Sequence, residues 1–315
     1  MQLVRQKGKV RAYRIGVGLA ALVVAAVGSG CAAGDGQGAR PAKSASGQPA
    51  QQGPEARKKA AGPAGALSGY VEKVKRAQAA RAAAAKKWGL KQTPLAAPPP
   101  PADKPRITTR KGFEVEGGDG LPPVFTAVPT KEKIVFLTID DGAEKDPELL
   151  RMMSELQIPY SAFLSDYVID DDYAYFEKMR DRGVALHNHT LNHRYLPGLS
   201  YSAQKREICG QQDKLQKRYG TRPRLFRPPY GNYNKDTLRV AKSCGIEAVP
   251  LWASEAFPDH MEWREWDRDL HPGDIILTHF RGRGEWKGTM ADMIRRVMRT
   301  VTAKGYAVAK LEDYV

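Results

Sequence analysis

Two carboxylates stand side by side at Asp140 and Asp141, two imidazoles stand four residues apart at His189 and His193, and a guanidinium and another imidazole follow at Arg227 and His279. Histidines at i and i+4 share one face of a helix, where both ring nitrogens can reach a single ion, as in many zinc sites. A carboxylate from Asp141 completes a two-histidine, one-carboxylate set. Such a set leaves a coordination position for water, the plan of a catalytic rather than a structural metal centre. Each residue taken alone has a plainer explanation. Asp-Asp before Gly142 makes a turn, Arg227 beside two prolines makes a surface loop, and a histidine pair can cap or pack.

What decides between these explanations is how the chain positions the residues. Beyond Lys131 strand and helix signals alternate. Strands are expected over Ile134–Ile139, Ser161–Leu164, Val184–Asn188, Leu225–Arg227, Glu247–Trp252, Asp274–Thr278 and Tyr306–Ala309. Helices are expected over Pro147–Leu156, Tyr173–Arg182, Ser202–Tyr219, Lys235–Ser243 and Thr289–Lys304. This rhythm predicts an α/β fold with a parallel sheet and covering helices. Asp140 and Asp141 then end the first strand, His189 the third, Arg227 the fourth and His279 the sixth. In parallel α/β architectures the carboxyl ends of the strands share one face, so these side chains converge on one site.

The same residues form motifs in a fixed order. They read Thr138-Ile139-Asp140-Asp141-Gly142, His189-Thr190-Leu191-Asn192-His193, Arg227-Pro228-Pro229-Tyr230-Gly231 and Leu277-Thr278-His279. In order and spacing the region 131–315 resembles the polysaccharide deacetylase family, carbohydrate esterase family four, also known as the nodulation-deacetylase homology domain. The resemblance implies a distorted (β/α) barrel of about seven parallel strands. It implies that Asp141, His189 and His193 hold Zn2+ or another divalent transition metal, that Asp140 is the general base and that Arg227 orients Asp140. The backbone N–H of Tyr230 would steady an oxyanion, and His279 would be the general acid. The implied substrate is an acetylated glycan polymer, with N-acetyl or O-acetyl groups as the target.

The chain departs from the family pattern in one motif. Where D-x-x-D-W is usual, Trp252 to Pro258 offers Glu255 and no Asp-Trp pair. Glu255 is therefore expected beside His279, with Asp267 or Asp269 as the alternatives. His187 stands where a small residue is common, and is expected to pack or to support a ligand rather than to bind metal. Trp263 and Trp266 fit either a sugar-stacking platform or packing under a lid loop. Two rival functions remain open. His187-Asn188-His189 is an H-x-H of the amidohydrolase kind, and a non-catalytic glycan-binding wall protein could keep the same fold.

Charge is unevenly distributed. Residues 1–130 carry 21 Lys+Arg against 7 Asp+Glu, whereas residues 131–315 carry 29 against 28. The excess belongs to the leader and the segment behind it, which argues for an anionic membrane or wall surface and against a nucleic-acid partner. Arg5, Lys7, Lys9, Arg11 and Arg14 precede an apolar stretch from Ile15 to Val27, then Gly28, Ser29, Gly30 and Cys31. That stretch is shorter than the roughly 18 residues a membrane span requires and has the plan of an export signal. Residues 1–31 resemble a bacterial lipoprotein signal in which Cys31 is lipidated, placing the protein on the outer face of the cell membrane or in the wall. Residues 32–130, Ala-, Pro- and Lys-rich, read as a disordered tether with a helix at 70–90 and the last stretch on the domain edge. Cys209 and Cys244 are expected either to pair in an oxidising compartment or to stay as buried thiols. A monomer is expected.

Overall fold

The computed structural model describes residues 63–315, with side chains placed from residue 69 onward. The elements are α1 (Pro63–Lys87), β1 (Val124–Phe125), β2 (Ile134–Asp141), α2 (Pro147–Leu156), β3 (Ser161–Leu164), α3 (Asp166–Ile169), α4 (Tyr173–Arg180), β4 (Ala185–Asn188), α5 (Tyr201–Tyr219), α6 (Lys235–Ser243), β5 (Val249–Pro250), β6 (Ser254–Ala256), β7 (Met261–Trp263), β8 (Ile275–His279), α7 (Met290–Ala303) and β9 (Ala307–Ala309). No helix among the described residues is long and apolar enough to cross a membrane.

β2 is the central strand, and all eight of its residues are buried. Successive side chains on a strand point to opposite faces. Ile134 and Phe136 accordingly join Phe125, Phe163 and Ile275 in one cluster, while Val135, Leu137 and Ile139 pack with residues of α2 and α7 in another. Helix α2 begins where Asp146 accepts a hydrogen bond from the Glu148 N–H and Pro147 occupies the first turn. Helix α7 begins with a reciprocal cap between Thr289 and Asp292 and buries Met293, Ile294, Val297, Met298 and Val301. Each such side chain contributes about 1.5–3 kcal/mol through burial, so Val297→Asp would detach the helix.

One sheet runs in the order β4-β3-β2-β8-β6-β7, with β9 also beside β2. All of its pairings are parallel except β6–β7. Backbone pairing continues past β4 through single bridges, Asn188 to Phe226 and Leu225 to Ala248. It then passes through the parallel pair β5–β1 and returns at Ala127–Asp274, beside β8. The result is a barrel of uneven closure, regular on the β3-β2-β8 side and held by isolated bridges on the other.

Several expectations are corrected by this structure. Leu225–Arg227 forms bridges rather than a strand, and only Val249–Pro250 of Glu247–Trp252 is extended in a ladder. Prolines at 223, 228 and 250 lack an N–H and shorten these ladders. The hairpin β6–β7 was not expected. It turns through Phe257-Pro258-Asp259-His260, closed by the Phe257 N–H donating to the His260 carbonyl at 3.0 Å, and Pro-Asp is a turn signal. The segment 88–130 is not a free tether. Trp88 is 6% exposed and donates its indole N–H to Glu155 at 2.7 Å, Arg295 grips the Trp88 carbonyl at 2.8 Å, and Val124, Phe125 and Val128 are core residues. The expected helix at 70–90 is α1, whose Ala84 and Ala85 are buried against the domain. Cys31, the export signal and residues 32–62 lie outside the described residues. Cys209 and Cys244 are disulfide-bonded with Cα atoms 5.2 Å apart, joining α5 to the end of α6.

Candidate active site

The chain departs from strand geometry at the last residue of β2 and the one after it. Asp141 has φ 75° and Gly142 φ 104°, so the chain turns as the strand ends. Both carboxylates then approach the same imidazole: His189 Nε2 lies 3.7 Å from Asp140 Oδ2 and 3.5 Å from Asp141 Oδ1. Burial opposes a charge on Asp141. The contact with His189 and the charges of His279 and His193 outweigh it and hold this carboxyl well below the usual carboxylate range.

His189 and His193 were expected on one helical face, and the structure corrects this. The segment is a turn in which Thr190 (φ 71°) and His193 (φ 50°) are left-handed. The turn is held from both sides. The Thr190 N–H donates to Asn188 Oδ1 at 2.8 Å, the His193 N–H to Thr190 Oγ1 at 3.0 Å, and Asn192 donates twice to the Glu207 carboxylate from α5. This bracing brings His193 Nε2 to 3.4 Å from Asp141 Oδ1. His189 Nδ1–H donates to the Arg227 carbonyl at 2.7 Å, which leaves Nε2 as the nitrogen facing the carboxylates. Burial, with the neighbouring His189, pushes the His193 pKa down to about 4.

Arg227 is fully buried. It donates from Nη1 to Asp140 Oδ1 at 2.7 Å and to Thr138 Oγ1 at 2.9 Å, and from Nε to the Pro250 carbonyl at 2.8 Å. Its guanidinium lies 4.3 Å from the Phe163 ring centroid. A buried arginine is tolerated only when paired, and burial still pulls its pKa down. The arrangement fixes the Asp140 carboxylate in one orientation.

His279 ends β8, and its neighbour β6 carries Glu255. His279 Nδ1 and Glu255 Oε1 are 3.2 Å apart, with about a fifth of the imidazole accessible. Burial works against the imidazolium, yet Glu255 and then Asp141 more than offset it, and the His279 pKa is raised. Asp267 instead contacts His271, and Asp269 contacts Lys304. His187 lies apart from the metal-ligand cluster. Its Nε2 is 2.8 Å from Glu312 Oε1 and its ring packs on Phe163, so no H-x-H pair forms. The two tryptophans separate as well: Trp263 is half-buried against the core, whereas Trp266 is 92% exposed.

Tyr230 has φ 62° and is followed by Gly231 at φ 68°. A Cβ on Gly231 would come within 2.9 Å of the Trp252 ring, so only glycine fits. The Tyr230 ring stands against His193 with centroids 4.7 Å apart and is 59% exposed. Four of the six non-glycine residues with positive φ among the described residues, Asp141, Thr190, His193 and Tyr230, belong to this site. Strained backbone of this kind clusters where geometry serves function. Two neighbours were missed in the sequence. Arg281 Nη2 donates to Asp141 Oδ2 at 3.2 Å, and Tyr167 lies 6.4 Å from the His193 ring. Position just after the Leu-x-His motif was the available signal for Arg281.

The donors suit a divalent ion. One nitrogen from each of His189 and His193 and one Asp141 oxygen lie within 4.8 Å of one another. The buried Oδ1 of Asp141 has no hydrogen-bond partner, and a buried carboxylate oxygen without a donor is open to a cation.

Comparison with known proteins matches the part of the chain that carries Asp140, Asp141, His189, His193, Arg227 and Tyr230. The polysaccharide deacetylase family matches residues 127–249. An uncharacterized protein of Streptomyces coelicolor is 39% identical over 216 residues, covering 68% of this chain and 86% of that protein. A peptidoglycan-N-acetylglucosamine deacetylase of Bacillus cereus is 25% identical over 200 residues, covering 59% of this chain and 90% of that protein. A solved structure of a CE4 family pseudoenzyme from Bacillus anthracis shares the fold, with a TM-score of 0.53 at 18% identity over 64% of this chain and 72% of that one. On the strength of these matches, the chain belongs to the polysaccharide deacetylase family.

Proposed function

We propose that this chain is an exported, metal-dependent deacetylase that hydrolyses acetyl groups on amino sugars of an envelope polymer, peptidoglycan above all. The observation that carries the reading is the flanking of one metal-ligand cluster by two tuned groups. Asp140 is locked to Arg227 at 2.7 Å, and His279 is backed by Glu255 at 3.2 Å. A divalent ion held by Asp141, His189 and His193, most simply zinc, would supply Lewis acidity toward an acetyl oxygen and toward water. Asp140, held in place by Arg227, takes the proton of the attacking water. His279 carries a proton on the nitrogen away from Glu255 and gives it to the departing amine. The left-handed backbone at Tyr230 offers its N–H to the oxygen that becomes anionic. A fold shared with a pseudoenzyme does not decide activity, whereas this complete set of ligands, base and acid favours catalysis over bare glycan binding.

The leader pattern, Cys31 and the Cys209–Cys244 disulfide support export and lipid anchoring on the outer face of the cell membrane, close to the wall. The relative from Bacillus cereus supports peptidoglycan as the polymer. The test is acetate release from purified peptidoglycan, chitin oligomers and acetylxylan, each with metal-loaded and metal-stripped protein. Release from peptidoglycan that disappears on stripping is expected. Equal release before and after stripping, or none from any glycan, overturns the reading.

A further inference from the structure

Arg281 follows β8 at once. Phe280 is fully buried, its N–H donates to the Asp140 carbonyl at 3.0 Å, and so the chain is pinned one residue before Arg281. The guanidinium then spans two carboxylates: Nη2 donates to Asp141 Oδ2 at 3.2 Å and Nη1 to Glu285 Oε2 at 2.8 Å. The loop carrying Glu285 is itself fixed. The N–H groups of Glu285 and Trp286 both donate to the Gly282 carbonyl, Trp286 packs on Phe257 with centroids 5.7 Å apart, and a Cβ at Gly282 would meet the Glu144 carboxylate at 2.5 Å.

The two oxygens of Asp141 therefore differ. Oδ2 is engaged by Arg281, while Oδ1 is buried, lacks a hydrogen-bond partner and lies 3.5 and 3.4 Å from His189 Nε2 and His193 Nε2. We propose that Arg281 is a positioning residue that occupies Oδ2 so that Asp141 offers a divalent ion one oxygen and leaves its remaining positions open. A carboxylate free at both oxygens can close on an ion with both, raising its coordination number and filling a place needed by water or substrate. The fork of arginine suits the task because its two nitrogens can hold Asp141 and Glu285 at once, which the point charge of lysine does less well. This inference rests on the metal site of the proposed function but not on the substrate.

The experiment uses cobalt(II) in place of the native ion, since cobalt absorption reports coordination number directly. Wild-type protein, Arg281→Met and Arg281→Lys are stripped, loaded with one equivalent of cobalt and compared in the visible range, with circular dichroism as the check on folding. Wild-type protein should give the intense band of a low-coordinate site. Arg281→Met should take up cobalt but lose roughly twofold or more in intensity as the coordination number rises. Arg281→Lys should recover part of the band, and zinc affinity should differ between wild-type protein and Arg281→Met by roughly 10–100-fold. Full cobalt uptake with superimposable spectra in all three proteins overturns this inference alone. Failure of wild-type protein to take up cobalt overturns it together with the metal site. Failure to release acetate, with the spectral difference intact, overturns the substrate reading and leaves this one standing.

Discussion

Two of the histidine–carboxylate pairs in this molecule stand in opposite settings. His279 and Glu255 meet at 3.2 Å at the carboxyl end of the strands, with about a fifth of the imidazole open to solvent. His187 and Glu312 meet at 2.8 Å away from the metal-ligand cluster, with the histidine 5% exposed and Ser161 donating to the same carboxylate oxygen at 2.6 Å. The first pair belongs to a cluster of unequal charges around Asp141, where a proton can be passed on. The second is bounded by Phe163 and the C-terminal turn and has nowhere to send one. Chemical identity of the residues is thus a poor guide to role. Access and the charges next door decide it.

The comparison can be broken most sharply at the metal ligands. His189→Ala or His193→Ala should leave less than one ion per chain by metal analysis and reduce acetate release to background, while His187→Ala should retain its ion. Loss of metal in the His187 variant alone would reverse the roles assigned to the two regions. Next in size, Asp140→Asn should lower kcat by about 10²–10⁴-fold with metal content unchanged. A near-normal rate would place the base elsewhere.

A smaller effect sharpens the contrast between the pairs. Glu255 raises the His279 pKa, so Glu255→Gln removes a negative charge and lowers it. The acid must be protonated to act, hence the alkaline limb of the pH–rate profile should move to lower pH. A limb that stays in place would deny Glu255 its part. The smallest catalytic effect is expected at the other pair. His187→Phe should leave kcat/KM within about twofold, yet cost about 1–3 kcal/mol of stability in a denaturant titration because Glu312 loses a buried partner. A large fall in kcat/KM without loss of stability would show that His187 communicates with the site.

The members of the cluster were legible because each carries its chemistry in its residue type and most fall at or beside a strand end. Asp140, Asp141, His189 and His279 needed only the order of strands to be placed together, whereas Arg227 follows two single bridges rather than a strand. The geometry between them was not legible. A helical face for His189 and His193 follows from spacing, but the turn depends on Asn188 and on Glu207 from another helix, contacts that no local pattern announces. The same holds for the edge of the barrel. Residues 88–130 have a linker's composition, and only tertiary contacts such as Trp88 with Glu155, or Val124 in register with Val249, show them to be part of the fold. Arg281 was overlooked because an arginine in a loop of Arg, Gly and Lys looks like a solvated charge.

The disulfide has a consequence for handling the protein. Helix α5 supplies Glu207, which grips the turn between the two histidine ligands, and Cys209 lies two residues further along that helix, bonded to Cys244 across 35 residues of chain. A covalent loop of that length stabilises a fold by about 3–4 kcal/mol on the chain-entropy account. Material made in a reducing cytoplasm lacks that brace beneath the ligand turn, and an inert preparation from such a host would reflect its redox history rather than its sequence.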